Sequence, residues 1–458
     1  MTTTEMRVGT ARRDITPEAG GPMAGYSART GDSTGVADPL TIRTLAISNA
    51  REGTRLVLLV ADLIAFDHAV LRAFRSRVEA EAGVKASDVI VAVTHTHSGP
   101  AYGSFYSSYT RPAGEPEPAV SAEWSLALPD RMIEAVRDAV NSEVPAVVAL
   151  ASGEAGIAVH RRLKDPLGEV RLAANPAGRT DPAVSVLQAR HPETGSVIAT
   201  LVNHACHPVV LCEDNLRYSG DFPAAMAARI EEETGAPALF MNSTCGDINP
   251  RFRGDQAAVT ELGHELAKAA LEAAATAQVS GDLSVASAGE TVPMQLRHTD
   301  EHVFTGYVAA AEAALARHGD SENFEGRRLK EEALRAKAML QRFRKTRQRI
   351  EELIDEDGKL PFTLQVARIG DSAVIGMPGE TFSTFGLQLR DRFSSGPAFV
   401  IGYANEAIGY VPDESAYPER GYEADVAHVA PGAGEQLTAT AARLLDSLMH
   451  APTRRDRS

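Results

Sequence analysis

The chain has 458 residues, enough for one large core or two smaller ones, and its 44% hydrophobic and 23% charged content is ordinary for a globular protein. A net charge of -15, from 46 basic and 61 acidic residues, argues against a general binder of nucleic acid or anionic membrane. No stretch of about 18 apolar residues occurs, so no membrane span is expected. Met1 to Arg13 has no apolar core of the signal-peptide kind, and the three cysteines (Cys206, Cys212 and Cys245) form no disulfide framework, so a cytoplasmic location is expected.

Strand and helix patterns alternate along the chain. Leu56 to Ala61 reads as a buried strand, Asp67 to Ala82 as a helix, and Val89 to Thr94 as a second, β-branched strand. Ala122 to Asn141 reads as a helix and Ala146 to Ala151 as extended. Val184 to Arg190 and Val197 to His204 form a hairpin pattern around Pro192-Glu193-Thr194-Gly195. Pro223 to Glu233 is helical in pattern, Ala238 to Asn242 a strand, and Ala257 to Ala275 a helix. Strands over Pro361 to Ile369 and Ala373 to Met377, a helix over Ser383 to Phe393 and a strand over Ala398 to Tyr403 follow. This alternation predicts an α/β fold, or a layered α+β one, with mixed sheets flanked by helices.

Between Val303 and Asp355 the pattern changes. The segment contains no proline and is rich in Ala, Glu, Lys, Arg and Leu, with Leu334, Ala338, Leu340 and Ile350 spaced for one helix face. It predicts a helical hairpin insertion broken near His318-Gly319-Asp320-Ser321, packed on the core or on a second subunit of a homo-oligomer. The basic residues from Arg327 to Arg349 are interleaved with or close to Glu331, Glu332, Glu351 and Glu352, as on a solvated helix face.

Five blocks carry candidate chemistry. In Thr94-His95-Thr96-His97-Ser98-Gly99-Pro100 two histidines stand two apart at a strand end, where an extended chain would aim both at one pocket. They are read either as metal ligands or as structural hydrogen-bond partners. Asn203-His204-Ala205-Cys206-His207-Pro208 ends a second strand, and two such ends converge at one sheet edge in an alternating fold. Met241 to Arg251 is a strand running into a loop of small polar residues, suited to backbone donors for an oxyanion; Cys245 within it is a candidate nucleophile. Gly376-Met377-Pro378-Gly379-Glu380-Thr381 puts Glu380 at a strand-turn-helix junction, where it serves a site or answers the helix dipole. Tyr403 to Tyr422-Glu423 gathers four of the ten tyrosines.

The order of these blocks resembles the catalytic domain of the neutral/alkaline ceramidase family. Thr94 to Pro100 is similar to its hallmark block, Gly9 to Pro17 and Met23-Ala24-Gly25-Tyr26 to its opening, and Ser219-Gly220-Asp221 and Pro378-Gly379-Glu380 to later blocks. The resemblance implies one zinc held by His95, His207, Glu380 and Tyr417, with His97 a second active-site histidine. Where the family reads Gly-Asp-Val-Ser-Pro, this chain has Gly246-Asp247-Ile248-Asn249-Pro250, so Asn249 replaces the serine. The resemblance also implies one catalytic domain over 1–450, and the family's C-terminal β-sandwich domain is not expected in a chain of this length.

The expected activity is zinc-dependent hydrolysis of a linear amide, an N-acyl compound more soluble than ceramide. Zinc polarises an amide carbonyl and activates water, and His97 or Asp221 would protonate the departing amine. Arg161 and Arg162 would hold an anionic substrate group, with Cys245 to Asn249 shaping the pocket. The rival expectations are a binding protein braced by metal and a hydrolase using Cys245.

Overall fold

The computed structural model describes residues 5–449 except 27, 104–118, 298–300, 319–325, 394–395 and scattered positions between 327 and 352. Three sheets make the frame. The first runs, edge to edge, through Val89–Val93, Thr54–Ala61, Thr41–Asn49, Met6–Asp14 and Val144–Pro145. The second runs through Ala238–Asn242, Val197–His204, Ala183–Arg190, Val147–Glu154 and Gln278–Val279. The third orders Val285–Gln295, Lys359–Ile369, Ser372–Gly376 and Ala398–Ile401. Most pairings are antiparallel, but each sheet has one parallel pair at an edge.

A parallel pair needs a crossover, and a helix supplies each one. His68–Ala82 joins Thr54–Ala61 to Val89–Val93, Asp221–Thr234 lies between Val197–His204 and Ala238–Asn242, and Ser383–Arg392 joins Ser372–Gly376 to Ala398–Ile401. The local sequence explains the first helix well. The Asp67 carboxylate accepts from the Ala69 amide at 2.8 Å, and Gly83 closes the C-terminus in the left-handed region at φ 67°. Val70, Leu71, Phe74 and Val78 give it a buried stripe.

The strands Val89–Val93 and Ala238–Asn242 are buried at every residue, which is why they read as continuous apolar runs. A shared core joins the three sheets: Leu45, Leu58 and Ile90 from the first, Leu187 and Leu201 from the second, and Val374 and Phe399 from the third. The carboxyl ends of the parallel strands therefore meet, as the isolated bridge between Ala92 and Ala404 shows.

The helix His302–His318 and further helical positions between 326 and 350 occupy the segment read as an insertion. Leu334, Ala338, the flanking charges at 327, 331, 332, 349, 351 and 352, and the expected break at 319–321 lie outside the described residues. The helical positions dock through Phe343, which stacks on Phe304 and His428, and through Ile350 in the core of the third sheet.

Candidate metal-dependent active site

His95, His97, His207 and Glu380 converge from loops at the carboxyl ends of all three parallel pairs. The ligand-capable nitrogens of the three histidines lie within 4.8 Å of one another. Glu380 Oε2 is 3.5 Å from both His95 Nε2 and His207 Nε2. That is long for a hydrogen bond, but two donors each ~2.1 Å from one tetrahedral ion stand roughly 3.4 Å apart.

The strand ends at Val93, so His95 is not extended as its spacing suggested. His95 takes the left-handed region at φ 68°, which is uncommon for a residue with a side chain, and this turn brings its ring to 5.0 Å from that of His97. Tyr403, also left-handed at φ 54°, stacks on the His95 ring at 4.1 Å. Two strained backbones at one contact mark a place where surrounding structure overrides local preference.

The rings of His95 and His207 are fixed from behind. His95 Nδ1–H donates to the Ile64 carbonyl at 2.6 Å and His207 Nδ1–H to the Cys245 carbonyl at 2.8 Å. A carbonyl can only accept, so the proton sits on Nδ1 and each Nε2 offers a lone pair to the centre. Burial, reinforced by the Arg161 charge, lowers the His207 pKa to about 3, and burial lowers that of His97 well below the usual histidine range. Both are therefore neutral at pH 7, the state a metal ligand needs. Glu380 is held well below the usual carboxylate range: burial alone would raise it, and the adjoining histidines outweigh burial.

Among the described residues, four buried atoms at this point have no hydrogen-bond partner: His97 Nδ1 and Nε2, His207 Nε2 and Glu380 Oε2. Buried polar atoms are normally satisfied. Their convergence is what a bound cation would satisfy, and the His/Glu donor set suits zinc.

Two glycines let this packing close. A Cβ on Gly25 would stand 2.5 Å from His97 Cβ, and one on Gly246 would stand 2.4 Å from the Glu380 carbonyl oxygen. Gly25 in the Met23 to Tyr26 block is thus required by the contact with His97, and its φ of 107° is also one that only glycine adopts easily. Buried Arg29 clasps the same turn, donating to the Ala24, His97 and Asn215 carbonyls.

The other expected site residues distribute differently. Tyr417 is not at the centre: its hydroxyl donates to the Val429 carbonyl at 2.8 Å, and the Arg297 guanidinium lies over its ring. Tyr403 stacks on His95, Tyr26 meets the His97 ring edge-on at 5.2 Å, and Tyr26, Tyr410 and Tyr422 line the cavity. Tyr410 pairs in register with Glu380, lines the cavity and accepts from Arg161 Nη2 at 2.9 Å. Spacing from Glu380 did not reveal this; a short parallel pairing, Glu380–Thr381 with Tyr410–Val411, sets it.

Asp221 is buried away from the cavity wall, its carboxylate accepting the Phe222 amide at 2.7 Å and the Leu211 amide at 3.1 Å, and burial pushes its pKa up to about 6. It ties the loop after His207 to a helix. His204 is likewise a core residue, donating to the Ala183 carbonyl. Two amides of the loop expected to offer oxyanion donors are already used: the Gly246 amide goes to the Thr381 carbonyl and that of Ile248 to the Cys245 carbonyl. Its Asp247 carboxylate accepts from the Ser383 amide and hydroxyl, bracing the Glu380 turn.

Cys245 is buried. Burial pushes its thiol up to about 12, and its sulfur contacts the Tyr403 hydroxyl at 3.1 Å. Activated cysteines show the opposite shift. Arg161 and Arg162 both bond the buried Glu423 carboxylate, at 2.8 and 3.0 Å. Arg161 lines the site cavity and donates to Asn249 Oδ1, whereas Arg162 lines a neighbouring cavity with His160 and Asp247.

A cavity of about 610 Å³ opens onto the cluster. Ile64, Val159, Leu172 and Val209 give it apolar walls, Asn249 and Arg161 a polar one, and Met339 reaches it from the helical segment.

The family model described as neutral/alkaline non-lysosomal ceramidase, N-terminal, matches residues 6–295, and the chain belongs to that family. The fold is similar to the neutral ceramidase from Pseudomonas aeruginosa, with a TM-score of 0.73 and 20% identity over 97% of this chain and 74% of that one. It is also similar to a ceramidase complexed with C2, with a TM-score of 0.72 and 19% identity over 97% and 75% of the two chains. No curated protein matches the sequence. Among the described residues no helix is long and apolar enough to cross a membrane.

Proposed function

We propose that this ceramidase-family hydrolase is a zinc-dependent amidase that cleaves a linear N-acyl compound more soluble than ceramide. The convergence of unpartnered donor atoms from His207, His97 and Glu380 beside His95 carries the reading. His95, His207 and Glu380 would hold the ion, which supplies a Lewis acid and activates water. In the overall reaction the oxygen of water joins the acyl carbon, the C–N bond breaks and the amine leaves with a proton.

His97 differs from the other two histidines because neither of its nitrogens is pinned from behind. A ligand ring is usually fixed by its second nitrogen, so His97 suits substrate contact and proton delivery to the departing amine. With Asp221 committed to backbone amides, His97, neutral at pH 7, would take a proton from the attacking water and pass it to the departing amine. Arg161 and Asn249 present a polar wall where the family carries a serine, which supports a polar substrate.

The test is metal content together with turnover on short N-acyl amides. Protein purified without added metal should hold about one zinc per chain. His207→Ala should lose the metal, and turnover should fall roughly 1000-fold or more. His97→Ala should keep the metal while turnover falls at least ~100-fold. A metal-loaded wild type inert on a broad amide panel would leave a metal-braced binding protein. Full metal in His207→Ala would refute the ligand set.

A further inference from the structure

Three arginines line the cavity: Arg161, Arg251 and Arg253. The charge of Arg161 is met by Glu423, and Arg251 grips both oxygens of Glu265 at 2.7 and 2.6 Å. Arg253 makes no ion pair among the described residues, and its side chain meets the Cys212 thiol. It is exposed, yet its positive charge reaches the site, where it acts on the His97 ring and the Tyr26 hydroxyl. Glu213 lines the same cavity with the opposite charge. Val159, Leu172 and Met339 add apolar lining.

A cavity with one guanidinium that no carboxylate holds among the described residues, and with apolar lining, is built for a molecule with an anionic group and a chain. Guanidinium matches a planar carboxylate with two parallel N–H donors, and apolar walls take the hydrocarbon. We propose that Arg253 is the anion subsite of this cavity, and that the amide substrate carries a carboxylate. This rests on the hydrolase reading above and specifies its substrate class. The carboxylate belongs either to the amine half, as in an N-acyl amino acid, or to the acyl half, as in a half-amide of a dicarboxylic acid. Arg161 and Arg162, the arginines whose sequence position suggested this task, are held by Glu423 instead.

The experiment uses the zinc-loaded full chain with three matched substrates: N-hexanoylglycine, N-hexylsuccinamic acid and neutral N-hexanoylethanolamine. Arg253→Gln should raise KM for one of the acids roughly tenfold and leave the neutral amide within about twofold. Arg253→Lys should fall between, since it keeps the charge without the fork, and Glu213→Gln should lower KM for the same acid. The acid that responds identifies the half carrying the carboxylate. Unchanged KM for both acids, or an equal rise for all three substrates, overturns the subsite. If wild type cleaves none of the three, the hydrolase reading fails by itself. Calorimetric binding of the two acids then decides the subsite: about a tenfold loss of affinity for one of them in Arg253→Gln supports it, and unchanged affinity for both removes it.

Discussion

The loops that carry the histidines and Glu380 and the helical segment that supplies Met339 border the same cavity, but different bonds hold them. The loops are laced together through their backbones. The His95 amide donates to the Leu63 carbonyl, His97 to Pro208, Gly246 to Thr381, Glu380 to Gly409 and Asn405 to Val91. Among the described residues the helical segment meets the core through side chains: Phe343 stacked on His428, the Tyr307 hydroxyl on Asp425 and Ile350 in the core of the third sheet. Backbone bonds between close-packed loops hold donor atoms to fractions of an ångström, while stacked side chains tolerate repacking. On the proposed reading, the difference separates a part that would keep metal geometry from a wall that could vary with substrate.

The largest expected effect is on the loop side. Gly25→Ala puts a methyl group into the His97 side chain at a backbone angle that disfavours any Cβ. Turnover should fall by roughly 100-fold, as for a reacting group misplaced by about 1 Å, with zinc retained by ligands that Gly25 does not touch. Activity near wild type would show that the His97 position is loosely held.

The helical side should respond in the opposite way. Phe343→Ala removes a ring packed between Phe304 and His428 and should cost about 3 kcal/mol, read as a lower Tm. Zinc content should stay at the wild-type value, and KM should change more than kcat because Met339 shifts with the segment. Loss of zinc in this variant would mean that the two regions are not separable.

The smallest effect concerns Asp221, which anchors the loop following His207. Its folded pKa is about 6, raised by burial above an unfolded value near ~3.9. A raised carboxylate binds its proton more tightly in the folded state, so its stabilising contribution is full below about pH 4 and is lost as pH rises through 6. Asp221→Asn should flatten the dependence of Tm on pH between roughly 4 and 6.5. Some slope should survive, because Asp38 is raised to about 6 in the same way. An unchanged profile in the variant would assign the titration to other groups.

Much of the frame was legible in the residues. Runs such as Leu56 to Ala61 and Val89 to Val93 are apolar because both faces are covered, and the helix between them carries its own cap and stop signals. Less legible were Met6–Asp14, Thr41–Asn49 and Val285–Gln295, where partly exposed or polar residues interrupt the pattern and cross-strand pairing supplies the order. At the site, His95, His97, His207 and Glu380 could be picked out because each follows a strand at a turn. Gly25 and Gly246 stood out as motif letters, but the reason for them is a contact with residues far away in sequence.

The sequence by itself determined the alternating elements, the ends of the buried strands and the set of imidazole and carboxylate groups available there. Those depend on local period, capping and turn chemistry, which operate within a few residues. Tertiary structure decided which groups meet and which are already used. It put Tyr410 rather than Tyr417 beside Glu380, joined Arg161 and Arg162 to Glu423, and enclosed the Asp221 carboxylate in backbone amides. It left Arg253 as a cation on the cavity wall with no ion pair among the described residues. Partnership in a folded chain is a matter of distance across sheets and loops, and a side chain's chemistry depends on whether its charge is already met.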